Sequence, residues 1–155
     1  MRIASDLQLS ETELAAWRGL LRAHHGIVAR LDAELVERHR LPLSSYEVLL
    51  QLANGPAGGL RMSDIADRVF LSRSGLTRLV DRLAREGLVE RRSCPSDLRG
   101  QLALITDRGR EVFSAARATH LEGVRREFLA RLSEAELAEL AELWTRFEGP
   151  DGPSC

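Results

Sequence analysis

Lysine is missing from this sequence: all 22 basic residues are arginine, a bias that marks a GC-rich coding genome and carries no mechanism. Cysteine is scarce. The two present, Cys94 and Cys155, cannot build a disulfide framework and are not spaced like metal ligands, which points to a reducing compartment. No apolar run approaches the ~18 residues that would span a bilayer, so no membrane role is expected. The N-terminal stretch MRIASDLQLSETELAAW has no basic segment followed by an apolar core, so no secretory or transit signal is read there and the cytoplasm is the expected location. A nucleophile paired with a base, a phosphate-binding loop and a carboxylate dyad are all missing too, which argues against an enzyme. The four histidines include neither an i, i+4 pair nor a histidine–cysteine spacing, so neither a metal site nor a cofactor is expected.

What is present suits one globular domain over residues 1–155: 44% of residues are hydrophobic and 29% charged. The net charge of −1 hides an asymmetry. From Arg61 to Gly100 nine arginines face six acids, whereas from Ser133 to Glu148 five glutamates face the single Arg146. A basic middle and an acidic end are expected where one part of a protein meets nucleic acid and another part does not.

The periodicity predicts a mainly α protein with a small β-hairpin (α+β). Ser10 with Glu13 forms a capping box, and Leu14, Trp17, Leu20, Leu21, Ile27, Val28, Leu31 and Leu35 recur at helical spacing up to Leu41-Pro42. That stripe is longer than one small core can cover, so part of it is expected to meet another chain. Ser44 with Glu47 reads as the cap of a second helix, and Asn54-Gly55-Pro56 as a turn. Leu60-Arg61-Met62 is too short to assign by itself. Ser63 caps a short helix over Asp64 to Val69, and Ser72 caps another from Arg73 to Arg85, the two meeting across Phe70-Leu71. Gly87 sits where a left-handed C-terminal cap belongs, before a strand over residues 88–92. Pro95 to Gly100 reads as a polar turn and Gln101 to Ile105 as the return strand. Thr106 caps an amphipathic helix whose apolar positions run from Val112 to Leu132, and Ser133 with Glu136 opens a last helix, followed by a frayed tail from Gly149.

Function concentrates in the helix from Arg73 to Arg85. Leu76, Leu79, Val80 and Leu83 fall at i, i+3, i+4, i+7 and make one buried stripe, leaving Arg73, Ser74, Thr77, Arg78 and Arg82 on other faces. A recognition helix enters the major groove with its first turns foremost, so Arg73, Ser74, Thr77 and Arg78 are the residues able to reach base edges. Arginine binds guanine bidentately, and short Ser72, Ser74 and Thr77 let the backbone approach phosphate. The hairpin that follows adds Arg91, Arg92 and Arg99 beside the same duplex, where a narrow minor groove favours arginine. Asp97, two residues from Arg99, would be repelled by phosphate and is read as orienting an arginine.

The stretch MSDIADRVFLSRSGLTRLVDRLAREGLVERRSCPSDLRGQLALITDRGREV resembles the winged helix-turn-helix of MarR-type regulators, including the wing pair of an aspartate and an arginine two apart, Asp97-Leu98-Arg99-Gly100. Leu98 departs from the many members that carry a second arginine there. The resemblance covers nearly the whole chain. It implies a winged lobe at about 44–110 flanked by dimerisation helices at about 10–40 and 107–148, and a homodimer that binds double-stranded DNA at pseudo-palindromic operators. The implied DNA-binding set is Ser72, Arg73, Ser74, Thr77, Arg78, Arg92, Asp97 and Arg99. Such regulators repress or activate nearby genes, and a repressor released by a small aromatic or anionic effector is the expectation. Trp17, His24 and Tyr46 fall where similar proteins hold their effector. The alternative is a thiol-responsive or metal-responsive regulator of the same fold, resting on Cys94 or on the histidines His24, His25, His39 and His120 with Glu34 and Glu37.

Overall fold

Glu11–His39 form α1, whose start has the expected reciprocal cap: the Glu13 N–H donates to Ser10 Oγ (3.2 Å) and the Ser10 N–H to the Glu13 carboxylate (2.7 Å). The computed structural model describes residues 8–69, 71–94 and 97–147, and of residues 94 and 97–99 the backbone alone. Arg40 ends α1 in a left-handed conformation (φ 53°), its N–H returning to the Leu35 and Val36 carbonyls. Of the α1 stripe, Leu31 and Leu35 are buried, whereas Trp17 (54% exposed), Leu20, Leu21 and Val28 stand in solvent. The C-terminal third of α1 therefore belongs to this chain's core, and its first half buries none of its side chains among the described residues.

Helix α2, Leu43–Asn54, corrects one expectation, because Ser44 does not cap it. The helix starts two residues earlier, behind Pro42, and the Leu43 N–H is satisfied by Asp32 Oδ1 of α1 at 2.8 Å. Strand β1, Leu60–Arg61, leads directly into α3, Met62–Val69. Ser63 thus lies inside the first turn of α3, and its hydroxyl donates to Asp64 (3.2 Å) rather than capping the helix. Helix α4 spans Arg73–Arg85; β2, Val89–Cys94, and β3, Asp97–Ile105, follow. Residues 97–100, expected in a turn, already belong to the return strand, with the pairing register shifting between Ser93, opposite Gln101, and Cys94, opposite Asp97. The sheet is antiparallel in the order β1-β3-β2, so the unassigned segment at Leu60 is a strand because β3 supplies partners, Leu60 opposite Ala103 and Arg61 opposite Leu102.

Thr106 caps α5, Asp107–Glu127, by accepting from the Gly109 N–H (3.0 Å). The helix stops five residues short of Leu132: Phe128 leaves helical geometry (φ −127°) and a 3-10 turn over Leu129–Arg131 follows. Its four-residue apolar step persists through that break, which is why the pattern alone overran it. Helix α6, Glu134–Trp144, opens with the expected Ser133/Glu136 capping box and buries none of its residues. Among the described residues no helix is long and apolar enough to cross a membrane.

The core sits where α2, α3 and α4 meet the sheet and the C-terminal part of α1, with Tyr46, Leu49, Ile65, Leu76, Val80 and Leu83 almost fully enclosed. Charges lock α1 to α5. Glu127, only 8% exposed, takes Arg30 (2.5 Å), Arg126 (3.0 Å) and Arg131 (3.3 Å), and Glu34 takes Arg126 (2.7 Å) and Arg38 (3.4 Å). Hydrogen bonding from Arg126, seconded by Arg30 at Glu127 and by Arg38 at Glu34, holds both carboxyls below the ordinary glutamate range against the opposing effect of burial. A carboxylate depressed in the folded state contributes stability that is present above its unfolded value and lost as pH falls through the folded one. Thermal stability should therefore drop on acidification below the ordinary glutamate range, and Glu127→Gln should both lower the midpoint at neutral pH and flatten that acid limb. Thermal melts of the two proteins from neutral pH to pH 3 check it; parallel pH profiles would contradict it.

Candidate nucleic-acid interface

The exposed face of α4 is set by the buried one. Leu76, Val80 and Leu83 point into the core, which turns Arg73, Ser74, Thr77 and Arg78 to solvent over the first turns. Ser72 caps the helix by accepting from the Gly75 N–H (3.1 Å), and no acidic residue stands in the first turn, so the positive end of the helix dipole is uncompensated and open to an anion. Thr77 Oγ1 donates to the Arg73 carbonyl (2.9 Å) and Arg78 Nε to the Ser74 carbonyl (3.3 Å), which lays these side chains along the helix surface. At the far end the Leu88 N–H bonds the Leu83 carbonyl and the Gly87 N–H the Ala84 carbonyl, the Schellman arrangement, with Gly87 at φ 75° as its sequence position predicts.

Two open clefts flank α4. One, about 310 Å³, runs between Arg73 and Thr77 of the helix and Arg61, Ser63 and Gln101. The other, about 270 Å³, lies on the opposite side, between Arg78 and Arg82 of α4 and Ser44 of α2. Sequence reasoning missed Arg61, Ser63 and Gln101 as part of this surface. The signal was tertiary, since pairing of β1 with β3 is what carries Arg61 and Gln101 to the side of α4.

The wing arginines differ in what they do. Arg92 is exposed but spans its neighbour Glu90 with two hydrogen bonds (2.8 and 3.0 Å), which holds the Glu90 carboxyl below its ordinary range. A phosphate reaching Arg92 must compete with that carboxylate. Arg91, expected beside the duplex, pairs its guanidinium with Asp81 of α4. The side chains of Asp97 and Arg99, and that of Cys94 on which a thiol response would rest, lie outside the described residues; the backbones of Asp97 and Arg99 belong to β3.

Trp17, His24 and Tyr46 are not brought together within the protomer. Trp17 and His24 are exposed on α1, whereas Tyr46 is 2% exposed and enclosed by Phe113 (ring centroids 5.4 Å) and His120 (4.4 Å). From Trp17 to Leu31, where α1 enters the core, the helix axis advances about 21 Å at 1.5 Å per residue. Burial raises the Tyr46 hydroxyl pKa and lowers that of the His120 imidazole, the behaviour of packed core groups. His39 bonds Thr119 Oγ1 (2.7 Å), and among the described residues no three His, Cys, Asp or Glu side chains gather as a metal site requires.

A sequence model described as the MarR family matches residues 39–100. Similar solved structures include Sco3205, a MarR family transcriptional regulator from Streptomyces coelicolor in complex with DNA, at 33% identity and TM-score 0.87 over 95% of this chain and 96% of that one. AbsC, a MarR family transcriptional regulator from the same organism, is 31% identical, with TM-score 0.84 over 90% of this chain and 94% of that one. Among curated proteins, the homoprotocatechuate degradative operon repressor of Escherichia coli is 27% identical over 73% of this chain and 74% of its own length.

Proposed function

Because the chain belongs to the MarR family of transcriptional regulators and is a DNA-binding regulator of transcription, we propose that it acts as a homodimeric repressor reading its operator with α4. In this reading the chain is one domain whose winged lobe, at about 44–110, is carried on the terminal helices. The observation that carries it is the row Arg73, Ser74, Thr77 and Arg78, exposed on the first turns of a helix whose N-terminus is open to an anion. The first half of α1, with Trp17, Leu20 and Leu21 exposed, and α6, with Leu143 and Trp144 exposed and Phe147 just beyond its end, support a homodimer through the terminal helices. Repression is supported by the E. coli relative named as an operon repressor.

Two-fold symmetry would place the recognition helices in successive major grooves, about 10 base pairs apart, on a pseudo-palindrome. Arg73 and Arg78 then differ from every other arginine of the surface by reaching base edges. Alanine at either is expected to cost about 1–3 kcal/mol on the selected operator and to relax sequence preference. Selection from a random duplex library, followed by titration of the two variants against the selected and the random sequences, tests this. Variants that lose affinity equally on both would remove α4 from base reading.

A further inference from the structure

Two polar contacts leave α4 on sides away from its apolar stripe. Arg82 donates to Ser45 Oγ at 2.6 Å; that hydroxyl is fully buried in α2, and Arg82 Nε is itself shut off from solvent. Asp81, the preceding residue, pairs with Arg91 of β2, whose Nε is also buried and without a partner among the described residues. Consecutive helical residues point about 100° apart, so one contact ties α4 to the helix behind it and the other ties it to the wing.

The stripe of Leu76, Val80 and Leu83 decides which face is inward, but apolar contact is non-directional and leaves the helix free to roll through small angles. A roll of about 20° moves atoms at the outer radius of about 5–6 Å by about 2 Å, more than a hydrogen bond to a base edge tolerates. Directional bonds on two further sides remove that freedom. Both arginines lie in the basic stretch and resemble DNA contacts in sequence, yet each commits one guanidinium nitrogen to a partner within the protein.

We infer that Arg82 and Arg91 are positioning residues: through Ser45 and Asp81 they fix the roll of α4 and its angle to the wing, and so determine specificity without touching DNA. This rests on the reading of α4 as the base-reading helix, and the experiment separates the two. The probes are a duplex selected by the wild-type protein and a random-sequence duplex of equal length, titrated at several salt concentrations. Ser45→Ala, which removes the Arg82 acceptor without altering charge, and Arg91→Gln are each expected to weaken binding to the selected duplex about tenfold. Binding of Ser45→Ala to the random duplex should stay within about twofold of wild type, and the salt slope of both variants on the selected duplex should be unchanged. The charge-swapped pair Asp81→Arg with Arg91→Asp, whose net charge matches wild type, should recover most of the lost affinity. A salt slope reduced by about one in Arg91→Gln, with selected and random duplexes weakened alike and no recovery in the swapped pair, would make Arg91 a phosphate contact and overturn the inference. Unchanged affinity of both single variants would also overturn it while leaving α4 as the reader. A wild-type protein that selects no sequence would instead overturn the reading of α4, and this inference with it.

Discussion

Gly109→Ala should lower the thermal midpoint by roughly 6–12 °C, the shift that a loss of about 3 kcal/mol produces in a chain of this size. Gly109 is buried in the first turn of α5, and a Cβ there would lie 2.1 Å from the Leu88 carbonyl oxygen and 2.8 Å from Ile105 Cγ1. The first of these neighbours is backbone at the start of β2, so no side-chain rotation relieves the clash; either the strand or the helix must move. The displaced seam joins the wing to α5, so operator affinity should fall with stability rather than independently of it. A melt followed by circular dichroism measures the first effect and operator titration the second. An alanine variant that melts with wild type would show that the seam is looser than its contacts require.

Trp17→Glu combined with Leu21→Glu should convert the proposed homodimer to a monomer at micromolar concentration. The two residues lie one helical turn apart on the exposed stripe of α1, and neither is buried among the described residues. Large anchors in an interface are worth about 2 kcal/mol or more each, and each substitution occurs in both protomers of a two-fold dimer, so losing the four side chains should raise the dimer dissociation constant by at least about a thousandfold. Operator binding should collapse with it, because two half-sites would no longer be engaged by linked recognition helices. Light scattering reads the first outcome and operator titration the second. An unchanged dimer would place the interface elsewhere, with Leu143 of α6 and Phe147 just after it the next to be replaced.

Much of this architecture is readable from local chemistry. The Ser10 and Ser133 capping boxes, the Ser72 and Thr106 caps and the left-handed Gly87 each depend on residues within a few positions of one another, and each occurs where the sequence places it. The order of helices, the hairpin and the exposed row on α4 follow from such signals with the apolar period. What the sequence conceals is supplied from a distance. The cap of α2 comes from Asp32, eleven positions back on another helix, so Ser44 beside a glutamate was a misleading pattern. Arg91 looks like Arg92 in sequence, and only the proximity of Asp81 separates an inward brace from an outward charge. Tyr46 and Trp17 are equally aromatic; one is core and the other bare because α2 is wrapped by α5 while the first half of α1 is not.

The wing stands at the base of α5 without an intervening loop. Thr106 donates its hydroxyl to the Gly87 carbonyl (2.7 Å) and its N–H to the Leu88 carbonyl (3.1 Å), so both strands are clamped to the first residues of that helix. Beyond the clamp, the six residues of β2 paired with β3 reach about 20 Å at roughly 3.3 Å each, so the hairpin is a lever with its fulcrum at Thr106. A tilt of about 10° at the fulcrum swings the far end by about 3.5 Å, more than the length of a hydrogen bond. In the proposed homodimer, small angular adjustments between the helices that carry the two lobes would thus be magnified at the tips, making the separation of the paired wings a coordinate sensitive to how the long helices cross.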